Sequence, residues 1–409
     1  MNRAHTQVHR QKKALGRVSG FRTALSLHSH TFHSKENLGF LPHYFEFHRT
    51  PIVCRLFQSG LKHYEACKGK SLDLCRAYWT PPVLPGMVLA SETRQIEEKL
   101  DLAAIVSITD HDTIAGPLSL QGQPAAASMP VSVEWTIPFA GNSFHIGVHH
   151  LPPDRSVEIM QALSHYTAEP EEEMLSGLFA LLDSFPETLL VLNHPFHNIY
   201  RVPTAKHLSS LRQLVALCRP WIHALEFNGM RSWSENQDVL RMAEEYDLPI
   251  VAGGDRHGSH TSTVLNLSQA ETWGEFVAGI RRDHRSNILV LPAFEEPAPL
   301  RELATACDVL RRYPHHPYGQ RRFTDRIFLE MEGYGWHPLS FYWDGGDGRP
   351  QWLGPIVTTV IALGSDRVRP ILSRLLSQPT QFDRARWPER DDSVTEAVSP
   401  RAEVAVESE

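Results

Sequence analysis

The stretch Leu27-His28-Ser29-His30-Thr31 ends a short apolar run and carries two histidines that are two residues apart. In a β-strand, residues i and i+2 point to the same face, so we expect His28 and His30 to lie side by side. Two neutral imidazoles on one strand face form half of a divalent-metal site, although an isolated His-x-His pair more often consists of surface or hydrogen-bonded histidines. The interpretation therefore depends on which residues follow downstream.

Further potential ligands follow apolar, strand-like runs later in the chain. They are Asp110, His111, Glu134, His145, His194, Asp255 and His257. Between these runs, apolar residues recur at helical spacing, for example over 171–185, 205–218 and 271–282, and Ser234 is placed to cap another helix. Strands that alternate with helices favour parallel pairing. In α/β barrels built this way, the active-site residues lie where the strands end. We therefore predict an α/β fold in which these side chains meet.

Length and composition limit the class of protein. The 409 residues are 42% hydrophobic and 21% charged, which is typical of a globular protein, and they suffice for a barrel of about 250 residues with additions. The formal net charge of −7 disfavours binding of long nucleic acid and leaves a local basic groove open.

Cysteine usage and hydropathy bear on the compartment. Five cysteines without a Cys-x-x-Cys pair indicate a reducing environment. We find no apolar run long enough for a membrane span and no apolar signal region at the start of the chain. We therefore expect a cytoplasmic protein without a membrane partner.

We divide the chain into parts by composition and pattern. The parts are a basic arm (1–22), a barrel (23–292) with an aromatic-rich helical insertion (38–87), a mostly helical extension (293–377) and a polar, disordered tail (378–409). We expect the arm to be frayed. The insertion is either a lid beside the site or a packing extension. Helical spacing over 300–312 and 321–331 supports the helical character of the extension.

Six motifs occur in a defined order. They are Leu-His-Ser-His-Thr at 27–31, Ile-Thr-Asp-His-Asp at 108–112, Glu134 followed by His145, Asn-His-Pro at 193–195, Glu-Phe-Asn at 226–228 and Gly-Asp-Arg-His at 254–257. In this order the motifs resemble the PHP (polymerase and histidinol phosphatase) superfamily of metal-dependent phosphoesterases, over roughly residues 23–291. The resemblance implies a distorted (β/α)7 TIM-like barrel with two or three metal ions at its mouth.

The resemblance also implies a set of metal ligands. One ion would be bound by His28, His30, Glu134 and Asp255; a second by Glu134, His145 and His194; and a third in part by His111 and His257. In this set Glu134 bridges two ions. Mixed imidazole and carboxylate ligands favour Zn, Mn or Fe. Each residue alone also has a structural interpretation, such as a hydrogen-bonded core histidine or a turn-capping aspartate, and it is their joint occurrence that favours the ligand interpretation.

Two positions depart from the family pattern. Ser26 stands where the family usually has an acid, and we expect this to affect only the support of the site. Lys35 stands where the family supplies a ligand for the third metal, and a charged lysine cannot bind one. Either His33 or Glu36 substitutes, or the third site is empty. A further hypothesis is that the Lys35 ammonium replaces the missing cation and contacts substrate phosphate, in which case Lys35→Ala would lower turnover without changing metal content.

Phosphate binding also requires cationic or donor side chains. Arg201 and Arg231 follow strand-end motifs and either reach the site or are solvated loop arginines. His197 is a candidate donor or general acid. Arg256 alternates with its two candidate-ligand neighbours, so we expect it to point away from the metals.

Three more residues are expected to support the site without binding metal. Asp110 would buttress a ligand histidine, and Glu226 and Asn228 would shape the loop around the site.

The leading hypothesis is a phosphoesterase that hydrolyses a small phosphomonoester or nucleotide with a metal-bridging hydroxide. One alternative is a catalytically silent metal-binding scaffold whose insertion and extension bind a partner. Another is a hydrolase of phosphodiester or amide bonds. The sequence leaves the substrate and the oligomeric state open.

Overall fold

The structure, a computed structural model, describes residues 4–11, 18–39, 73–331, 335–343 and 353–376, together with a few isolated positions between 55 and 66. Most of the aromatic-rich segment predicted within 38–87, and the predicted tail at 378–409, lie outside the described residues.

A mixed sheet of ten strands forms the body of the described protein. Its strands are β1 (His5–Arg10), β2 (Thr23–Ser29), β5 (Ala103–Val106), β6 (Val133–Phe139), β7 (Asn142–His149), β8 (Leu189–Asn193), β9 (Ala224–Asn228), β10 (Ile250–Arg256), β11 (Val264–Ser268) and β12 (Arg285–Val290). Their order is β1-β12-β11-β2-β10-β9-β8-β7-β6, and β5 pairs with β2. The strands from β2 to β8 in this order are parallel, whereas β6, β7 and β8 form an antiparallel meander.

The described ranges contain twelve α-helices. They are α1 (Pro85–Leu100), α2 (Ala115–Leu118), α3 (Ser156–Ala168), α4 (Glu172–Asp183), α5 (Thr204–Cys218), α6 (Trp233–Tyr246), α7 (Trp273–Arg281), α8 (Ala298–Leu310), α9 (Phe323–Arg326), α10 (Leu339–Trp343), α11 (Leu353–Leu363) and α12 (Arg369–Leu376). Apolar side chains of α3 to α6 form one large core with the sheet. The chain is therefore a mixed α/β protein.

The central strands are apolar on both faces. Leu190 and Leu192 of β8 pack into the core shared with the helices, whereas Leu189 and Val191 belong to a second cluster with Leu25 of β2. We call the face that carries this second cluster the inner face of the sheet. Four side chains of α7 also pack into the second cluster: Trp273, Phe276, Val277 and Ile280. The central strands are therefore covered on both faces, as continuous apolar runs require.

Two isolated bridges connect segments at the ends of the sheet. Ile108, just after β5, pairs with Val131, and His111 pairs with Glu134 at the start of β6, both in the parallel sense. Because β5 also pairs with β2, strand pairing continues from β6 through the segment after β5 to β2.

A second, four-stranded sheet has the order β14-β13-β4-β3. Its strands are β3 (Glu36–Asn37), β4 (Ala77–Trp79), β13 (Ile327–Met331) and β14 (Gly335–Pro338). The predicted helix at 321–331 is therefore wrong beyond Arg326, where α9 ends and β13 begins. Local helical spacing is overridden here by pairing with β4 on one side and β14 on the other.

Two other local expectations also differ from the structure. His5–Arg10 of the predicted frayed arm is strand β1, because it pairs in parallel with β12 along its whole length. Helix α6 is capped by Ser232 rather than Ser234, since the Ser232 hydroxyl accepts a hydrogen bond from the backbone N–H of Glu235. Among the described helices, none combines the length and apolar character needed to cross a membrane.

His149 at the end of β7 provides a pH-dependent stability prediction. It is 1% exposed, its Nδ1 lies 2.8 Å from the Ser107 hydroxyl, and burial lowers its pKa to about 3. The unfolded chain would protonate this histidine below about pH 6.5, whereas the folded protein would not until much lower pH. The contribution of His149 therefore lowers the free energy of unfolding by about 1.4 kcal/mol per pH unit below pH 6.5, or by about 2 kcal/mol at pH 5.

Urea unfolding at pH 7 and pH 5 measures this contribution. The wild type should lose about 2 kcal/mol more than His149→Gln between the two pH values. His165→Gln, at an exposed position of α3, is the matched control and should behave as the wild type. Equal pH dependence of the wild type and His149→Gln would contradict the prediction.

Candidate metal centre

The carboxylate of Glu134 lies among five histidines, of which His145 lies within β7 and the others lie at or beyond the ends of strands. Its Oε2 is 3.0 Å from His28 Nε2, 3.3 Å from His30 Nε2 and 3.3 Å from His111 Nδ1, and its Oε1 is 3.0 Å from His194 Nε2 and 3.3 Å from His145 Nδ1. Glu134 itself is fully buried. One carboxylate thus faces imidazole nitrogens on both of its oxygens, as a bridging ligand would.

Asp255 completes the group around the first two histidines. Its Oδ1 lies 3.7 Å from His28 Nε2 and 3.6 Å from His30 Nε2, while the two Nε2 atoms are 3.0 Å apart. The four side chains that the family resemblance assigns to one ion therefore converge.

A further group joins His30, Glu36, His111 and His257. Glu36 Oε2 lies 3.3 Å from Nε2 of both His111 and His257. Of the residues considered for the third site, Glu36 is thus the one whose side chain lies in the cluster. Lys35 is exposed and its ammonium lies 5.4 Å from the centre of the Tyr78 ring. His33 is half-buried, and its ring packs against Phe32.

The residues present suit divalent metal ions. For metal–ligand bonds of about 2.1 Å, two ligands of one ion are about 3.0 to 3.4 Å apart, and many of the distances above fall in this range. Among the described residues, Glu134 Oε2 and His145 Nδ1 are buried without a hydrogen-bond partner. Buried polar atoms without partners are costly unless something else binds them. The donor set of imidazoles and carboxylates is one that Zn, Mn or Fe accepts.

Strand alternation explains some of the inward-facing side chains of the centre. The alternation that directs Leu189 and Val191 to the inner face does the same for Asn193 at the end of β8. Asn193 Nδ2 donates to Glu134 Oε1 at 2.9 Å. Sequence analysis did not assign Asn193 a role, although its place in the Asn-His-Pro motif could have suggested one.

His28 departs from this alternation. Leu25 and Leu27 lie in the inner cluster, so a regular β2 would direct His28 outward with Ser26. His28 instead adopts φ 64°, and the pairing of β2 with β10 changes register at this point. The histidine pair is therefore adjacent because of a left-handed residue, and not because of the strand periodicity from which we predicted it.

Left-handed backbone recurs at the site. His194 has φ 27° and Asp255 has φ 50°, both at or just after strand ends. Such conformations are unfavourable for residues other than glycine and persist where surrounding contacts enforce them.

Glu226 holds two of the histidines. Its Oε1 lies 2.5 Å from His28 Nδ1, and its Oε2 accepts hydrogen bonds from the backbone N–H of His194 at 2.9 Å and from Asn228 Nδ2 at 2.8 Å. With Nδ1 engaged by Glu226, Nε2 of His28 faces the cluster, which is the usual arrangement of a metal-binding histidine and its supporting carboxylate. Gly253 on the adjacent strand permits this, since a Cβ there would overlap the Glu226 carboxylate.

Asp110 acts on the loop after His30. Its Oδ1 accepts a hydrogen bond from the Thr31 backbone N–H at 2.5 Å, and its Oδ2 accepts one from the Thr31 hydroxyl at 2.8 Å. The contact is thus with the residue that follows a candidate ligand and not with a histidine ring. Ser34 lies 3.2 Å from His30 Nδ1 and donates to Glu36 Oε1 at 2.7 Å.

The electrostatics of the centre favour positive charge. Burial alone raises the pKa of Glu134, but His28 and His111 outweigh it and hold the pKa well below its usual range. Burial likewise lowers the pKa of His111, whereas Glu36 and Glu134 raise it, to about 10 overall. The raised pKa of His111 favours its protonated form, and a divalent cation would supply that positive charge instead. Metal affinity should accordingly fall at low pH, where protons compete.

Glu92 of α1 is a supporting residue that sequence analysis missed. It is fully buried, and its carboxylate accepts hydrogen bonds from Arg256 Nη1 at 2.6 Å and from the Ser26 hydroxyl at 2.9 Å. The helix thus supplies an acid next to the serine that stands in the family's acidic position. The missed signal was an acid at helical spacing between Val88 and Ile96, both buried.

Arg231 and His197 lie beside the metal ligands. Arg231 Nη2 donates to Asp255 Oδ2 at 3.2 Å, and its Nη1 is 2.9 Å from His197 Nδ1. Burial and the adjacent Arg231 lower the pKa of His197 well below its ordinary value. A neutral His197 then accepts a hydrogen bond from Arg231. Arg201 is exposed on the loop after β8, at φ 48°.

Three solved structures resemble part of the chain. No protein-family model and no curated protein matches the chain. PsfC from Pseudomonas syringae is 14% identical over 54% of this chain and 88% of its own, with a TM-score of 0.36. A suspected metal-dependent phosphoesterase from Bifidobacterium adolescentis is 14% identical over 44% of this chain and 84% of its own, with a TM-score of 0.30.

A third solved structure, an amidohydrolase from Chromobacterium violaceum with bound sulfate and no metal, shows similar values. It is 14% identical over 44% of this chain and 84% of its own, with a TM-score of 0.31. At such scores we infer neither family membership nor activity from these similarities.

Proposed function

We propose that this chain is a metal-dependent phosphoesterase that acts on a small phosphomonoester or nucleotide. The main observation in support is that imidazole nitrogens converge on both oxygens of the buried Glu134 carboxylate. His28, His30 and Asp255 would hold one divalent ion with Glu134, and His145 and His194 a second. Glu36, His111 and His257 would hold a third. Divalent ions so held acidify bound water and neutralise phosphoryl charge.

We further propose that the large sheet is a distorted (β/α)7 barrel of the PHP type. One observation supports closure. Pairing runs from β6 through the bridges at Ile108 and His111 to β5 and β2, and from β2 back through β10, β9, β8 and β7. In such barrels, active sites lie where parallel strands end.

The protein side chains would orient and bind. Glu226 and Asn193 fix the directions in which His28 and Glu134 face the centre. Arg231 Nη2 donates to Oδ2 of Asp255, and its Nε is buried without a hydrogen-bond partner among the described residues. The carboxylate of Asp255 raises the pKa of Arg231 despite burial, which keeps the guanidinium charged. A charged guanidinium at this place suits a phosphate oxygen.

The function is tested with protein reconstituted with Mn²⁺, using p-nitrophenyl phosphate and bis(p-nitrophenyl) phosphate as substrates and His30→Ala as the inactive control. Turnover that the control lacks supports the proposal, and the preferred ester separates monoesterase from diesterase activity. Turnover of an anilide but of neither ester would indicate the amide hydrolase, and metal binding without any turnover would indicate the scaffold.

Arg231→Met should weaken substrate binding. A hydrogen bond to a charged group contributes about 1.5 to 3 kcal/mol, so KM for the preferred ester should rise about 10- to 100-fold. Metal content, measured by mass spectrometry, should stay near that of the wild type. Arg241→Met, at an exposed position of α6, is the matched control. An unchanged KM in Arg231→Met would remove Arg231 from the substrate site.

Lys35→Ala, in the same assay, tests the separate proposal that Lys35 contacts phosphate.

A further inference from the structure

Glu36 is supported differently from the other candidate ligands. The others lie on strands of the ten-stranded sheet or directly after them, or, for His111, in an isolated bridge to Glu134 of that sheet, whereas Glu36 belongs to β3 of the second sheet. Strand β3 has two residues, and among the described strands it pairs with β4 alone, through Glu36 opposite Trp79 and Asn37 opposite Tyr78. A pair this short has little stability of its own.

The strand that completes this sheet comes from the C-terminal region. Strand β13 pairs with the other edge of β4, placing Ile327 opposite Trp79. The backbone N–H of Thr80 donates to the Arg326 carbonyl at 2.8 Å, just before β13. Arg326 is itself fully buried, and its Nη2 donates to the Arg311 carbonyl at 2.7 Å.

Apolar packing joins the same three segments. Leu38, directly after β3, forms a small buried cluster with Leu74, Ala77, Leu329 and Leu339. Trp79 packs against this cluster, and its ring centre lies 5.9 Å from that of His257. Leu38 beside β3, and Trp79 beside His257, therefore pack against residues of the C-terminal region, Leu329 and Leu339.

We propose that β13 is a positioning element for Glu36, so that the divalent-cation group of His30, Glu36, His111 and His257 is complete only while β13 is docked on β4. The inference rests on the proposed metal-dependent function, and it adds that occupancy of one cation group depends on the C-terminal region. The groups centred on Glu134 do not share this dependence, because the large sheet carries them.

Calorimetric titration of Mn²⁺ into the chelator-treated full chain tests the proposal. Glu36→Gln should abolish one class of site and leave the others. Leu329 is 7% exposed and packs in the apolar cluster with Leu38, so Leu329→Ala should weaken that same class about 10- to 100-fold, as loss of ligand support typically does. In the Glu36→Gln background, Leu329→Ala should change no Mn²⁺ affinity further, because the group through which it acts is already lost.

Leu211→Ala provides the matched control. Leu211 is 1% exposed on α5 and belongs to the large core rather than to the cluster of Leu329, so its truncation creates a comparable cavity and should leave every Mn²⁺ affinity unchanged. If Leu329→Ala does not fold, Ile327→Val replaces it as a milder change in the same strand and is expected to weaken the same class.

Two results would overturn the positioning role. One is a destabilised β13 variant that retains all wild-type affinities, and the other is an equal affinity loss with and without Glu36. Ester turnover in the wild type alongside either result would leave the proposed function standing while removing this inference. If Leu329→Ala weakens Mn²⁺ binding only while Glu36 is present, but the wild type hydrolyses no ester, the positioning role stands and the proposed function fails.

Discussion

Glu134→Gln should lose both tightly bound metal and hydrolytic activity. Five imidazole nitrogens lie 3.0–3.3 Å from the two oxygens of this carboxylate, so both of its oxygens face candidate metal ligands. A neutral amide offers one acceptor in place of two charged oxygens, and it cannot bridge two cations. We expect turnover to fall by at least about 10³-fold, the scale on which groups that stabilise developing charge act.

Metal content and turnover should be measured on the same preparations. Glu98→Gln, exposed on α1, is the matched control and should resemble the wild type in both measurements. Folding is checked by circular dichroism, since the variant removes charge from a buried site. A Glu134→Gln protein that keeps two metal equivalents and most of its turnover would show that Glu134 does not bridge.

Glu92→Gln should cause the largest loss of stability. Its carboxylate is the buried partner of Arg256, which is 4% exposed, and it also accepts the backbone N–H of Ser262 at 2.9 Å. Removing one charge of a buried pair leaves the other uncompensated, which costs about 3 to 5 kcal/mol. Because Arg256 stands between Asp255 and His257, the loss should also weaken metal binding.

The double variant Glu92→Met with Arg256→Met separates charge from packing. Replacing a buried ion pair with apolar side chains of similar size is often neutral, so the double variant should recover most of the stability in urea unfolding. Metal affinity need not recover with it, because Arg256 Nε also donates to the Gly258 carbonyl at 3.2 Å in the loop after His257. If the free energy of unfolding of Glu92→Gln lies within about 1 kcal/mol of the wild-type value, Arg256 must find another partner.

Much of the candidate site could be predicted from the sequence because strand periodicity is a local property. Apolar runs that end in polar residues predict buried strands, and alternation within a strand places Glu134, Asn193 and Glu226 on the inner face together. The order of the motifs then indicates which side chains share the centre. Arg256 likewise points away from its neighbours, as alternation predicted, although alternation did not identify Glu92 as its partner.

The remaining features depend on contacts between distant segments. His28 joins the centre through a left-handed backbone that regular alternation would exclude, and Glu226 from β9 contacts its ring there. The sequence left Lys35, His33 and Glu36 as alternatives around the third cation group. The side chain of Glu36 lies there because strands β4 and β13, distant in sequence, pair into one sheet beside it. Side-chain alternation follows from the covalent chain, whereas the enforcement of an unfavourable φ and the pairing of short strands require the packed tertiary structure.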